Sequence, residues 1–322
     1  MKWSRNLRIL NRSVRIATRL AKASVAPTPP SPAVQPSRQP RPGRLTAYEG
    51  FGDNPGRLRM LAHVPNYIVD RPLVVLLHGC GQNAARFALG SCWIAASERL
   101  GFPLVLPEQT DGNNPGRCFQ WFEPDEMARG QGEAASIAAI TRSALARFNC
   151  DPARVFIVGL SAGGAMAAAM LAAYPDLFAA GAVVAGLPVG AAHNRMEAIL
   201  RMASPSQGED PSAWANRSGS WPRLSVWHGL NDTTVAPGNG AALADQWRAL
   251  HGLNEDDAVE TVRPGGARRL AWPAEGQPVV EYWTIPGFRH AYPVLGEGGK
   301  RDFIENAPVD ATAEIGRFFG LD

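Results

Sequence analysis

Gly159-Leu160-Ser161-Ala162-Gly163 sets a serine between two glycines. A serine hydroxyl is a poor nucleophile until a neighbouring imidazole removes its proton, and that imidazole needs a carboxylate to hold it in the right tautomer. The pattern therefore asks for a histidine and an acid elsewhere in the chain. With 33 glycines present, the bare G-x-S-x-G pattern carries little weight, but its setting carries more. Arg154-Val155-Phe156-Ile157-Val158 reads as a buried strand leading in, and Gly164-Ala165-Met166-Ala167-Ala168-Ala169-Met170 reads as a helix leading out. A sharp strand-to-helix turn needs small residues on both sides of the serine, because the backbone passes close to itself. The chemistry implied is acyl transfer through a serine nucleophile; an ordinary glycine-rich turn is the alternative.

Where a strand–serine–helix turn carries a triad, the histidine comes last in chain order. His193, His228, His251 and His290 follow Ser161. His193 lies in an irregular stretch, His228 closes a strand, and His251 sits at the end of a helical run with Gly252 behind it as a cap. His290 stands in a Gly-containing loop just after the strand Val279-Val280-Glu281-Tyr282-Trp283-Thr284-Ile285, where a sheet's C-terminal edge presents catalytic groups. It is the expected general base. The acid should lie on the loop after the preceding strand, Leu224-Ser225-Val226-Trp227-His228, which selects Asp232, with an Asx-turn role as its alternative. Glu255, Asp256 and Asp257 read as a solvated charge run.

A tetrahedral oxyanion needs N–H donors already in place. Ala162, next after the serine, supplies one. The second comes from the glycine-rich turn Leu76-Leu77-His78-Gly79-Cys80-Gly81: Cys80 N–H is expected, with Gly81 as the alternative, and His78 reads as a structural loop histidine.

These groups need elements to position them. Strands are expected near residues 58–64, 73–78, 103–107, 154–158, 180–185, 223–228 and 279–285. Helices are expected near 84–99, 131–148, 162–174, 239–251 and 310–319. Continuous apolar runs such as Leu73-Val74-Val75-Leu76-Leu77 fit a mostly parallel sheet covered on both faces, hence a doubly wound α/β domain. Residues 188–222 break the alternation around one short helical stretch, Met196 to Met202, and read as a lid insertion or a long surface connection.

The chain has 322 residues, 45% of them hydrophobic, enough for one sizeable core with an appendage. Of its 32 Lys and Arg, ten precede residue 49 and no acid does, leaving 22 basic against 29 acidic residues in the body. That mildly acidic body argues against nucleic-acid binding. Residues 1–22 place Trp3, Leu7, Leu10, Val14, Ala17 and Ala21 on one helical face and Arg5, Arg8, Arg12, Arg15, Arg19 and Lys22 roughly opposite. They read either as a solvated tail or as a helix binding an anionic membrane or granule surface. Those cations also interrupt any standard secretory signal. Residues 23–44 form a linker; seven prolines between 27 and 43 exclude helix and sheet there. No apolar run reaches membrane-spanning length, and no CxxC, HExxH or clustered His/Cys spacing points to a metal. No cofactor is expected.

Taken together, Leu77-His78-Gly79-Cys80-Gly81-Gln82, Leu106-Pro107-Glu108-Gln109, Cys118-Phe119-Gln120-Trp121-Phe122, Gly159 to Met166 and the His228-Gly229-x-x-Asp232 turn are specific. Over about residues 45–320 the chain resembles the poly(3-hydroxybutyrate) depolymerase family of esterases, which also includes feruloyl and acetylxylan esterases. The resemblance implies an α/β-hydrolase fold, ester hydrolysis and a triad of Ser161, Asp232 and His290, with short-chain hydroxyalkanoate esters or polyester as substrate. It implies export as well, while the basic N-terminus points to a cytoplasmic or granule-associated protein. A feruloyl- or acetylxylan-type carbohydrate esterase is the alternative, and a catalytically silent granule-binding relative is the rival outside the enzymes. The family usually follows its catalytic histidine with Ala-Trp and small residues; here His290-Ala291 runs into Tyr292-Pro293-Val294, which changes one wall of the site. Trp121 could line an aromatic or polymer-binding cleft or belong to the core. Cys80 and Cys118 fall on loops at the same sheet edge, which permits a disulfide holding the oxyanion loop; buried free thiols are the alternative.

Overall fold

A computed structural model describes residues 45–213, 220–274, 276–296 and 303–322. The basic segment expected over residues 1–22 and the linker over 23–44 lie outside them. The main sheet is built from β1 Thr46–Tyr48, β2 Arg59–His63, β3 Leu73–Leu77, β4 Leu104–Glu108, β5 Val155–Leu160, β6 Ala180–Val184, β7 Arg223–Gly229, β8 Val259–Val262, β9 Arg268–Ala274 and β10 Gln277–Ile285. Their spatial order is β1-β2-β4-β3-β5-β6-β7-β10-β9-β8. The six strands from β4 to β10 run parallel, and each flanking strand pairs antiparallel with its neighbours, so β2 and β9 run against the central six while β1 and β8 run with them.

The central strands are apolar along their whole length because both faces are covered. In β3, Leu73, Val75 and Leu77 enter the core on one face while Val74 and Leu76 enter the core on the other. The helices are α1 Ala84–Gly90, α2 Trp93–Leu100, α3 Pro124–Met127, α4 Gly132–Phe148, α5 Ala162–Ala173, α6 Arg195–Ala203, α7 Gly238–Leu250 and α8 Ala311–Phe319. Helices α4, α5 and α7 cover the Leu73 face, and α1, α2 and α8 cover the other. Each fully buried Leu or Val here stabilises the fold by about 1.5–3 kcal/mol. A parallel pair, β11 Tyr292–Val294 and β12 Ile304–Asn306, stands apart from the main sheet.

The helix expected over 84–99 is two helices. Gly90 ends α1 where a Cβ would overlap the side chain of Ile304, and Cys92 takes a left-handed conformation with φ 65° before α2 begins. The outer strands β1, β8 and β9 of the main sheet and the separate pair β11 and β12 are additions to the expected set. β8 has no fully buried residue, so no apolar run marks it. The irregular stretch 188–222 contains α6 and a single 3-10 turn, Pro211–Ala213, among the described residues.

Two features set up the site. Trp227 on β7 and Trp283 on β10 are register partners with stacked rings, 4.4 Å between centroids, which pins together the two strands leading to Asp232 and His290. Such a stack adds about 0.5–1.5 kcal/mol beyond area burial. Gly229 ends β7 where a Cβ would overlap the Phe288 carbonyl, so its lack of a side chain lets the His290 loop lie directly on the β7 turn.

Candidate active site

Ser161 stands between β5 and α5 with φ 55° and ψ −119°, a sparsely populated conformation that costs about 1–3 kcal/mol for a non-glycine residue. The surrounding glycines explain how it is held. A Cβ at Gly159 would overlap the Gly163 carbonyl, and one at Gly163 would overlap the carbonyl oxygen of Leu77. The end of β3 therefore packs against the first turn of α5. Ser161 N–H donates to Val184 O at 2.8 Å, closing the turn against β6.

Ser161 Oγ lies 2.9 Å from His290 Nε2, and His290 Nδ1 lies 2.7 Å from Asp232 Oδ2. The structure thus brings the three residues together from the ends of β5, β7 and β10. Asp232 Oδ1 accepts the N–H groups of Thr234 and Val235, both at 2.8 Å. Burial alone would raise the Asp232 carboxyl; hydrogen bonds from His228 and His290, the imidazole charge and Val235 N–H outweigh it and hold the group well below the usual carboxylate range. An ionised, buried carboxylate on Nδ1 leaves Nε2 free to accept a proton from the serine.

Gly81 N–H donates to Gly116 O at 2.8 Å and is therefore committed. Cys80 N–H has no acceptor among the described residues, and neither does that of Ala162, which as the first residue of a helix has no intrahelical partner. Gly79 lies against Leu160, so the two free donors belong to adjoining turns.

The loop bearing Cys80 is anchored from below. Gly79 N–H donates to Gln82 Oε1 at 2.8 Å. His78, fully buried, accepts Gln109 N–H on Nε2 at 3.1 Å, so its proton is on Nδ1, 2.8 Å from Gly79 O. Burial lowers its pKa, offset in part by that carbonyl, in keeping with a structural role. A disulfide joins Cys80 to Cys118, with Cα atoms 4.3 Å apart. Behind Cys118, Gln109 Nε2 donates to Cys118 O at 3.1 Å and to Glu133 Oε1 at 2.5 Å, and Glu133 Oε2 accepts Gln120 N–H at 2.8 Å. Burial pushes the Glu133 carboxyl up to about 7 against the pull of those hydrogen bonds.

The other histidines lie elsewhere. His193 pairs with Glu209 at 2.8 Å, and His251 ends α7 with Nε2 3.3 Å from Pro222 O. Trp121 is 6% exposed, edge-to-face with Phe122, and packs in the core on the α4–α5 face. Sequence reasoning missed two neighbours of the triad. His228 Nε2 is 3.4 Å from Asp232 Oδ2, a contact that the four-residue spacing of the turn could have signalled. Phe303, half exposed, sets its ring edge-on to His290 at 6.0 Å, and no local pattern marks it. No group of three or more His, Cys, Asp or Glu suited to a metal occurs among the described residues.

The family model described as "Esterase PHB depolymerase" matches residues 61–273. The poly(3-hydroxyalkanoate) depolymerase C of Paucimonas lemoignei is 39% identical over 292 residues, covering 86% of this chain and 70% of that protein. An acetylxylan esterase of Coprinopsis cinerea is 30% identical over 284 residues, covering 83% and 73%. Among solved structures, the acetyl xylan esterase of Aspergillus awamori superimposes with a TM-score of 0.73 at 23% identity, covering 87% of this chain and 100% of that one. The poly(3-hydroxybutyrate) depolymerase LpqC of Bordetella parapertussis gives a TM-score of 0.52 at 18% identity, covering 77% and 84%. These two structures share the α/β-hydrolase fold with this chain.

Proposed function

The chain belongs to the esterase PHB depolymerase family and is a carboxylic ester hydrolase, and from that premise we propose that it cleaves short-chain hydroxyalkanoate esters or polyester through a Ser161 acyl-enzyme. The observation that carries the mechanism is the unbroken line from Ser161 Oγ through the His290 ring to Asp232 Oδ2, with separations of 2.9 and 2.7 Å. Ser161 Oγ attacks the ester carbonyl carbon as His290 Nε2 takes its proton. The oxyanion accepts hydrogen bonds from Cys80 N–H and Ala162 N–H. His290 then protonates the leaving alkoxide, and the acyl group stays on Ser161. Water, deprotonated by His290, attacks the acyl-enzyme through the same oxyanion site, and as the bond from the acyl carbon to Ser161 Oγ breaks, His290 returns the proton to Oγ and the acid leaves. Asp232 orients the imidazole and stabilises its cation throughout.

Two observations favour an ester of apolar acyl units. The Paucimonas lemoignei relative, named for poly(3-hydroxyalkanoate), is more similar than the Coprinopsis cinerea acetylxylan esterase, at 39% against 30% identity. Loops leaving the C-terminal edge of the parallel strands also carry exposed apolar side chains. These are Leu230 after β7, Phe303 beside His290, and Met196, Ile199 and Leu200 on α6. Such a rim suits an apolar polymer face better than a polysaccharide. Trp121, packed in the core three residues beyond the disulfide-bonded Cys118, is proposed to back the acyl site from the core side. An acetylxylan esterase is the second reading, favoured by the relatives of that name and by the Aspergillus awamori superposition.

The test is a panel of p-nitrophenyl butyrate, a hydroxybutyrate oligomer, acetylated xylan and methyl ferulate. The expected order places the oligomer first by kcat/KM; a preference for acetylated xylan would select the second reading. We also propose that residues 1–22 attach the enzyme to an anionic membrane or granule surface, each cation contributing about 1 kcal/mol. Deleting residues 1–44 should abolish salt-sensitive co-sedimentation with anionic vesicles, and unchanged co-sedimentation would refute it.

A further inference from the structure

Asp232 is gripped by a residue that the triad does not include. His228 closes β7 with its side chain fully buried, and its Nε2 lies 3.0 Å from Val235 O and 3.4 Å from Asp232 Oδ2. Both neighbours are acceptors, so the ring proton resides on Nε2, bonded to Val235 O and lying beside Asp232 Oδ2. On its other side, His228 Nδ1 is buried and has no hydrogen-bond partner among the described residues. Gly240 packs against it so closely that a Cβ there would stand 2.7 Å from Nδ1. A proton on that nitrogen would be buried without an acceptor, at a cost that the Nε2–H form avoids. The ring therefore donates from Nε2 in one orientation.

The bonds close a loop. Val235 gives its N–H to Asp232 Oδ1 at 2.8 Å and takes the His228 proton on its carbonyl at 3.0 Å. Thr234 N–H also reaches Oδ1 at 2.8 Å, while Oδ2 receives His290 Nδ1 at 2.7 Å and stands 3.4 Å from His228 Nε2. Among the described residues, backbone N–H groups alone bond Oδ1, and His228 is the side chain besides His290 that approaches Oδ2.

We propose that His228 is a positioning residue for the esterase reaction, its Nε2–H tying the Asp232 carboxylate to the Val235 carbonyl so that Oδ2 meets His290 in a single orientation. The proposal rests on the triad reading above. It separates from simple packing because only the donor, not the ring's bulk, is required. His228→Met keeps comparable bulk without a donor, whereas His228→Gln carries an amide N–H near the Nε2 position.

With a soluble p-nitrophenyl ester, His228→Met should lower kcat about 10- to 100-fold with KM within about threefold of the parent, and His228→Gln should recover to within about fivefold. A fully active His228→Met, or equal losses in both variants, overturns the proposal. Ser161→Ala assayed alongside tells the two failures apart. If it is inactive while His228→Met is fully active, the triad stands and the role of His228 falls; if it is active, both fall. Should the Met variant not fold, ¹⁵N-histidine NMR of the intact wild-type protein at pH 7 decides: the Nε2–H tautomer at His228 supports the role, and the Nδ1–H tautomer overturns it.

Discussion

The nucleophile side and the acid–base side of this site are held by different forces. Around Ser161, backbone presses on backbone: Gly159 and Gly163 have no room for a Cβ, and the β3 turn lies on the first turn of α5. A disulfide and the His78–Gln109–Glu133 group then hold the donor loop from behind. Around His290, side chains hold one another across long sequence distances. Asp232 is 58 residues from its imidazole partner and depends on a turn, a buried histidine and two stacked tryptophans to meet it. A backbone-locked turn tolerates loss of a side chain without moving, whereas a side-chain-locked pair loses its geometry when one member changes.

The largest expected effect follows from that contrast. Ser161→Ala should cost on the order of 10⁴ or more in kcat with an unchanged fold, because only a hydroxyl leaves a turn that the backbone maintains. Asp232→Asn should cost about 10³–10⁴, by presenting the wrong tautomer of His290. Steady-state kinetics and circular dichroism check both, and activity within tenfold of the parent in either variant would break the assignment.

Next comes the donor loop. Reducing the Cys80–Cys118 bond, or replacing both cysteines with alanine, keeps the Cys80 N–H but frees its loop. Removing an oxyanion donor outright costs about 10²–10³, so loosening one should lower kcat about tenfold with little change in KM. A reduced enzyme with full kcat would show that the polar group beneath the loop suffices alone.

Smaller still is the effect of the rim. Changing Met196, Ile199 and Leu200 together to serine should lower the ratio of polyester-particle to soluble-ester rates about fivefold, since exposed apolar area is what binds an apolar surface. An unchanged ratio would remove α6 from substrate contact.

The least effect on activity is expected at Glu133, whose carboxyl is pushed up from 4.5 to about 7 by burial. The folded state holds this proton more tightly than the unfolded chain does, so its contribution to stability is fully present below about pH 4.5 and is lost as pH rises through about 7. Urea unfolding at pH 5 and pH 8 should show the wild type losing stability relative to Glu133→Gln; parallel pH dependence would mean that Glu133 is ionised in the fold without penalty.

The same contrast explains what the sequence made legible. Glycines at fixed spacing around Ser161 are a local record of a backbone contact, and fully buried parallel strands are a local record of a two-faced sheet. Asp232 and His290 could be placed by strand order alone. His228 reads only as the end of a strand because its partners lie in the turn beyond it, and Phe303 meets His290 in a contact that no periodicity announces. The helix expected over 84–99 breaks because Gly90 meets Ile304, a contact set by residues more than 200 positions away.

The central claim is that Ser161 is the nucleophile and that His290 activates it. Treating the wild-type enzyme with an organophosphonate fluoride and mapping the adduct by peptide mass spectrometry tests this most directly. The account predicts one adduct per chain, on Ser161, formed in step with loss of esterase activity and strongly slowed in a His290→Ala variant. Inactivation with the adduct on another residue, or a Ser161 adduct that leaves activity intact, would contradict it.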